Sequence, residues 1–242
     1  MSALNDQPLV AAAIEAIHNG NQDLLRQVLN EDANLTRIRI DGNRTLLHVA
    51  ADWPGHFPNG SAIVRTLVTH GADVNAKCIG QHSETPLHWA ASSNDVDVLD
   101  ALLDNGANIE ATGAVIGGGT ALADAVAFGQ WQAAKRLVER GAQTTLWQAA
   151  ALGLIDRVKE RFAKQRLPEQ SEITNAFWNA CHGGQQETAE YLLAQGADLN
   201  WIGYEGESPL DAAQRAGVAT LAAWLRDRGG QSAKQVKNRR LS

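Results

Sequence analysis

The sequence predicts an all-α protein, a solenoid of about seven stacked helix-turn-helix units joined by short β-turn fingers and irregular in the middle. A pattern of seven residues, Thr-Pro-Leu-His-x-Ala-Ala, occurs in full at Thr85–Ala91 and with one change at Thr45–Ala51. A Gly-Ala pair closes four of the copies, as at Gly106-Ala107. Since the pattern and the closing pair recur together, we interpret each copy as one structural unit.

The stretch His82–Thr112 is the best-formed unit. Thr85 can cap its first helix, and Pro86 suits the first helical position. Its second helix carries one apolar stripe, formed by Val96, Leu99, Leu102 and Leu103. Gly106 ends that helix, because glycine adopts the left-handed backbone at low steric cost. Helices this short cannot bury their apolar faces alone, so the copies must stack.

The other copies keep the pattern in weaker form. Their starts lie at Thr120, Thr144, Asn175 and Ser208, and a first copy from Pro8 lacks the start altogether. We therefore predict a single repeat domain over residues 1–230. Its seven units are 8–40, 41–80, 81–112, 113–142, 143–170, 171–203 and 204–230. Residues 231–242 are predicted to be a basic, disordered tail.

These repeats resemble ankyrin repeats, and the resemblance covers nearly all of residues 8–230. More narrowly, the chain resembles bacterial stand-alone ankyrin-repeat proteins of undefined role. The resemblance supplies no catalytic motif. It implies that His48 and His88 of the repeated pattern are buried structural residues that hydrogen-bond local turn groups, and that they are neither catalytic groups nor metal ligands.

The middle of the chain departs from the period of about 33 residues that regular repeats keep. Successive starts are 40, 35, 24, 31 and 33 residues apart. The longest interval contains an extra loop, residues 53–60, between the two helices of the second unit. The finger Gly113–Gly119 is long and rich in glycine. The shortest interval has no finger, because Gly141 precedes Thr144 by only three residues.

Composition limits the kinds of partner. The net charge is −6, and residues 231–242 carry four basic side chains and no acid, so residues 1–230 hold −10. Such an acidic body argues against nucleic acid. No apolar run is long enough for a bilayer and no signal-peptide pattern follows Met1, so we expect no membrane and a cytoplasmic location. Cys78 and Cys181 lie far apart, which predicts core cysteines and no metal site. We also expect no cofactor.

Standard catalytic signatures are missing, which favours a protein that is not an enzyme. The sequence contains no H-E-x-x-H, C-x-x-C, G-x-S-x-G or P-loop motif. Gly117–Gly119 could hold an anion on backbone N–H groups, but no basic residue follows, which favours a merely flexible finger. Asp52, His56 and Asp124 are weak candidates for acid–base groups, provided that the inserted loop covers a cavity.

The concave face carries the candidate binding residues. In the ankyrin layout, the residue after the patterned histidine and those three or four further on face this groove. Exposed aromatic side chains beside a few polar groups are typical of an interface or a pocket. From these positions and the inserted loop we predict the following binding residues: Trp53, Phe57, Trp89, Ser92, Asp124, Phe128, Gln148, Asn179 and His182.

The aromatic groove allows three hypotheses of function. The first is a protein-interaction scaffold that binds a protein partner through its concave face and fingers. The alternative is a small-molecule-binding protein or atypical enzyme whose concave pocket is roofed by residues 53–60. A third is a homo-oligomer that buries the aromatic patch between copies, since the sequence leaves the oligomeric state open. A loop folded over the rings as a small satellite core would leave no site.

Overall fold

Pairs of short helices follow one another along the chain. The computed structural model describes residues 8–241, with side chains up to Arg239; the Met1 region and the Arg240 side chain lie outside this part. Fourteen helices form seven pairs: α1 (Pro8–His18) and α2 (Gln22–Glu31), α3 (Leu46–Ala51) and α4 (Gly60–Thr69), α5 (Pro86–Ser92) and α6 (Val96–Asp104), α7 (Ala121–Ala127) and α8 (Trp131–Glu139), α9 (Leu146–Ala151) and α10 (Ile155–Phe162), α11 (Gln170–His182) and α12 (Gln186–Ala194), α13 (Pro209–Arg215) and α14 (Ala219–Asp227). A further helix, α15 (Ala233–Leu241), follows them.

The all-α fold class is confirmed. Between residues 8 and 241 there is no β-strand, and pairing of extended backbone is limited to isolated bridges at Ile40–Arg44 and Thr112–Thr120. Two short 3-10 helices, Ala33–Thr36 and Tyr204–Gly206, lie in the connections. None of the described helices has the length and apolarity needed to cross a bilayer.

The contacts divide the chain into two compact units, one ending at Gln143 and one beginning at Thr144. In the first unit, α1, α3, α5 and α7 pack in order as one layer, and α2, α4, α6 and α8 form the second layer. In the second unit, α9, α11 and α13 pack in the same way. The division falls where the sequence lacks a finger. The single domain over residues 1–230 stays a prediction beside this division.

The patterned histidines act as helix caps and as links between neighbouring repeats. His88 is fully buried, and its Nδ1 accepts the Thr85 backbone N–H at 3.1 Å. The proton of the neutral ring therefore lies on Nε2, which donates to the Gly119 carbonyl at 3.4 Å. His48 does the same with Thr45 and with the Glu84 carbonyl, at 3.2 Å for each bond. The structural role predicted for both histidines is confirmed.

The fifth pair is capped one residue later than the sequence predicts. The predicted start is Thr144, whereas the Thr145 N–H donates to Gln148 Oε1 at 2.8 Å and α9 begins at Leu146. Gln148 thus caps α9 in the same way that His88 caps α5. A glutamine can replace histidine here because only one acceptor atom is needed beside the cap.

The inserted loop, residues 53–60, packs on the turns between helices of the neighbouring pairs. The His56 N–H donates to Asp95 Oδ2 at 2.6 Å, and Asn59 Nδ2 donates to the Gly20 carbonyl at 2.9 Å. A Cβ atom at Gly20 would lie 2.1 Å from the Pro58 carbonyl oxygen. These contacts bridge the first and third repeats at their inter-helix turns. The loop therefore lies at these turns and does not form the roof expected over the concave pocket.

The carboxyl-terminal segment, expected from the sequence to be a disordered tail, forms α15. The Ala233 N–H donates to Asp211 Oδ2 at 2.7 Å, and Val236 is buried. One apolar side chain and one capping carboxylate are enough to seat a short helix on a repeat that already presents an apolar face. The basic side chains of Lys234 and Lys237 stay exposed.

Candidate functional site

A buried carboxyl group lies at the centre of the first unit. Asp124 is the fourth residue after the cap of α7, the same place that Trp89 takes in α5 and Val49 in α3. Its side chain is 0% exposed. Oδ1 accepts the Ile116 backbone N–H at 3.3 Å. No donor among the described residues reaches Oδ2, and the group beside Asp124 is the carboxyl of Glu84.

Glu84 is the functional candidate that sequence reasoning missed. It directly precedes the Thr85 cap, and its carboxyl is half-buried. Glu84 Oε2 accepts the indole Nε1–H of Trp89 at 3.3 Å. Its backbone carbonyl accepts the His48 Nε2 bond described above and the Cys78 N–H at 2.8 Å. The bond from Cys78 ties Glu84 to the base of the preceding finger.

Burial and proximity favour one shared proton on the two carboxyls below about pH 7. Burial raises the pKa of Asp124 to about 7; the Ile116 N–H works against this shift, and the neighbouring Glu84 carboxyl adds to it. Burial also raises the pKa of Glu84, against the Trp89 indole donor. Two carboxylates cannot both ionise cheaply side by side in a buried place, so the pair titrates as a unit. We call Glu84 and Asp124 the acid pair.

Trp89 stands beside the acid pair. Its ring meets the His48 ring edge-on, with centroids 5.1 Å apart and planes at 77°. The side chain is half-buried, so part of the ring faces solvent. Ser92, one turn further along α5, bonds the His88 carbonyl with its own hydroxyl at 2.9 Å. Trp89 is therefore the group on α5 that offers a partner both apolar area and a fixed polar neighbour.

The glycine-rich finger covers Asp124 in place of the inserted loop. Gly113 N donates to the Gly118 carbonyl at 3.1 Å, and Ala114 N donates to the Gly119 carbonyl at 3.0 Å. A Cβ atom at Gly113 would lie 2.2 Å from the Ser83 carbonyl oxygen, so only glycine allows this approach. The finger closes on itself through these bonds and holds Asp124 through Ile116, which differs from the merely flexible segment expected from the sequence.

Two aromatic side chains predicted to bind a partner are exposed on the first unit. Phe128, at the end of α7, is 49% exposed, and Trp53, after α3, is 78% exposed. Ile79 and Val115 are exposed on neighbouring fingers. Phe57 instead packs on the His18 ring, with centroids 4.7 Å apart. The first unit thus presents separate apolar groups along its first helices and its fingers.

The three weak acid–base candidates have separate partners. Asp52 forms an ion pair with Arg44. His56 lines a surface cavity of about 300 Å³ together with Phe57, Arg65 and Asp95. Asp124 belongs to the acid pair, and its partners among the described residues are Ile116 and Glu84.

The predicted binding residues of the second unit are buried. Gln148 caps α9, and Asn179 Nδ2 donates to the Asn175 carbonyl at 2.9 Å. The His182 ring stacks on Trp178, with centroids 5.5 Å apart. Gln148 caps α9, Asn179 bonds within α11 and the His182 ring packs in a stack, so the exposed part of the predicted site belongs to the first unit. Within residues 8–241 no group of three or more His, Cys, Asp or Glu side chains is placed to hold a metal ion.

The charge is divided unevenly between the two units. Residues 1–143 contain 16 acidic and 9 basic side chains, a net charge of −7. Residues 144–242 contain 11 acidic and 12 basic side chains, a net charge of +1. The field around the first unit therefore attracts cationic groups.

Comparison with known proteins gives matches in sequence and in structure. Residues 59–146 match the family model of ankyrin repeats in three copies. The NF-kappa-B inhibitor cactus of Drosophila yakuba is 36% identical over 112 residues, 46% of this chain and 22% of that protein. The RelA-associated inhibitor of Mus musculus is 36% identical over 108 residues, 43% of this chain and 12% of that protein.

Among solved structures, the crystal structure of the human ASB11 ankyrin repeat domain matches with a TM-score of 0.53 and 21% identity. The match covers 90% of this chain and 97% of that domain. The chain spans about a fifth of the length of cactus. These matches bear on the repeats and the fold.

Proposed function

Because the chain is an ankyrin-repeat protein, we propose that it is a protein-interaction scaffold, which binds a protein partner through the first-helix face and the fingers of the unit that ends at Gln143. The observation that carries this proposal is the set of exposed aromatic side chains on that unit, Trp53 and Phe128, on either side of the half-buried Trp89 along the repeats. Large aromatic groups that stay exposed beside fixed polar groups are typical of interfaces.

Two relatives support a partner-binding role for repeats of this kind. One is named an inhibitor of NF-kappa-B and the other a RelA-associated inhibitor. These names describe those proteins, of which this chain matches a small part. As part of the same proposal, we place the protein in the cytoplasm of a bacterium.

A pocket roofed by residues 53–60, with a bound small molecule or an enzymatic reaction, has less support. The loop contacts the inter-helix turns at Gly20 and Asp95. Asp52 and His56 have partners other than Asp124. We therefore place the scaffold function first.

The scaffold proposal predicts that Trp89→Ala and Phe128→Ala each abolish partner recovery. The purified chain is used as bait in a lysate of the source organism, and bound proteins are identified by mass spectrometry. Each truncation removes an apolar anchor, and such anchors contribute about 2 kcal/mol or more to binding, which is at least a roughly 30-fold loss of affinity.

Tyr204→Ala is the matched control, because Tyr204 is an exposed aromatic residue of the second unit. Circular dichroism verifies that all three variants keep the helical fold. Recovery of the same partner by Trp89→Ala and by wild type, or equal loss with Tyr204→Ala, would show that this face of the first unit is not the binding surface.

A further inference from the structure

We propose that Glu84, backed by Asp124, receives one arginine or lysine side chain of the partner, and that this cation anchors the partner beside Trp89. The inference rests on the proposed function, because it names the chemistry of the group that the face would bind. Glu84 is the contact carboxylate, since its carboxyl is half-buried. Asp124 is fully buried and acts behind it as a positioning charge.

The first argument is that the acid pair lacks a cation of its own. The ion pairs among the described residues include neither Glu84 nor Asp124. Apart from the proton that the pair shares, no hydrogen-bond donor among the described residues reaches the buried Asp124 Oδ2. Buried carboxylates in proteins are normally paired with a cation or fully hydrogen-bonded, because removal from water is costly. A cation supplied from outside would complete the arrangement.

The second argument is the placement of Trp89. Its indole Nε1–H bonds Glu84 Oε2 at 3.3 Å, so the carboxyl is held next to an aromatic ring that is partly open to solvent. An arginine or lysine side chain has an apolar stem that packs on a ring and a charged end that pairs with a carboxylate. One tryptophan and one carboxylate side by side match both parts of such a side chain.

The third argument is charge at longer range. The first unit has a net charge of −7, which attracts a basic segment before contact is made. The ends of the repeat face add apolar contacts at Phe128 and Trp53. A basic residue flanked by apolar ones is therefore the chemistry that this surface fits.

Binding of a cation would displace the proton that the pair holds. A positive charge beside two carboxylates favours their ionised form, so the complex binds fewer protons than the free protein. The affinity then rises with pH as long as the free pair keeps its proton, by up to about tenfold for each pH unit. Burial raises the pKa of Asp124 to about 7, which places this range near neutral pH.

Within the described part of the chain, His82, Cys78 and His48 are titratable groups near Glu84. His82, on the same finger as Glu84, favours the ionised Glu84 when it is protonated. Burial raises the pKa of the Cys78 thiol to about 11 and lowers the pKa of His48 to about 4, so these two groups stay neutral between pH 6 and 8. Histidine in general titrates in this range, so His82→Gln is measured alongside to separate its contribution.

The test is a titration of the full chain with N-acetyl-arginine amide, followed by the indole N–H signal of Trp89 in a ¹⁵N NMR spectrum. Trp89→Phe identifies the signal among those of the seven tryptophans. N-acetyl-citrulline amide at equal chloride concentration is the control, because it has nearly the same shape without the charge. We expect the arginine compound alone to move the signal, with a Kd that falls from pH 6 to pH 8.

The variants assign the effect to the acid pair. Glu84→Gln should remove the shift of the Trp89 signal, and Asp124→Asn should keep weakened binding without its pH dependence. His82→Gln should keep both. A dispersed amide spectrum of each variant shows that it is folded.

A signal that does not move, that moves equally with citrulline, or that moves unchanged in Glu84→Gln would overturn the cation anchor. Loss of partner recovery in Trp89→Ala together with any of these results would leave the scaffold function standing and refute only the anchor. A different combination is that the arginine compound binds as expected while Trp89→Ala still recovers the partner as well as wild type does. That combination would refute the scaffold proposal at this face, and the cation could then not be assigned to that partner.

Discussion

Asp124 is an ionisable residue in a place where the neighbouring repeats carry apolar ones. Val49 and Trp89 fill the same position on α3 and α5, whereas Asp124 is buried there with a carboxyl beside it. Such a residue weakens the fold at the pH where it ionises, and buried groups with shifted pKa values concentrate at functional sites. The loss of stability that the ionised Asp124 causes can be measured directly as a dependence of stability on pH.

The Asp124→Asn variant should lose less stability than wild type as the pH rises from 5.5 to 8.5. Folding raises the pKa of Asp124, so the folded chain binds more protons than the unfolded chain, and the stabilisation is lost as the pH rises through about 7. Each unit by which folding raises the pKa corresponds to about 1.4 kcal/mol. Asparagine keeps an acceptor for Ile116 and offers Glu84 a donor without a charge.

The measurement is the difference in thermal midpoint between variant and wild type at pH 5.5, 7 and 8.5. The difference cancels the opposite trend of His48 and His88, whose pKa values are lowered to about 4 by burial and which destabilise the fold as the pH falls below about 6.5. Parallel curves for the two proteins would mean that Asp124 does not titrate in this range.

At the scale of elements, the inserted loop acts as a clasp between repeats. Residues 53–60 touch the turn at Gly20 on one side and the turn at Asp95 on the other. The sequence located this insertion by the 40-residue interval, but not its direction. A spacing gives the length of a loop, whereas its path depends on contacts that are distant in sequence.

The Gly20→Ala variant should destabilise the protein by about 2–4 kcal/mol. Gly20 has φ of +63°, and its added Cβ would lie 2.1 Å from the Pro58 carbonyl oxygen, so the loop must move as well as the turn. Gly42→Ala is the control: its φ is +70° but no atom lies within 4 Å of the added Cβ, so it should lose only about 1 kcal/mol. Urea unfolding followed by circular dichroism compares the free energies of unfolding of the two variants. Equal losses would show that the contacts of the inserted loop with the Gly20 turn do not stabilise the fold.

At the scale of the whole molecule, the repeats could be predicted and the site only in part. Caps, apolar stripes and glycine stops are local signals, and their repetition made the seven helix pairs readable from the sequence. Trp89 and Asp124 are predicted as candidates because they occupy known positions within a repeat. Glu84 could not be predicted as a site residue, because it lies 40 residues from Asp124 in the sequence. The two carboxyls come close together only through the way two fingers of unequal length fold.

The prediction of a disordered tail for residues 231–242 is wrong, and the helix α15 formed there should contribute to stability. Deletion of residues 232–242 removes α15, uncovers the surface under Val236 and leaves Asp211 without the Ala233 N–H. Loss of one buried valine is expected to cost about 1.5–3 kcal/mol, and Val236→Asp in the full chain should reproduce much of the loss. Lys234→Ala, an exposed change on the same helix, is the control in thermal unfolding. Unchanged stability after the deletion would show that α15 does not stabilise the fold.

Glu84 serves three consecutive repeats at once. Its carbonyl accepts the His48 bond from the repeat before, it directly precedes the Thr85 cap in its own repeat, and its carboxyl lies beside Asp124 of the repeat after. Repeat proteins evolve and are engineered by the gain, loss or shuffling of single repeats. The acid pair cannot be moved in that way, because no single repeat contains it. A single repeat transferred to another protein would carry only one of the two carboxyls, so the smallest piece that transfers the acid pair is the junction of two repeats.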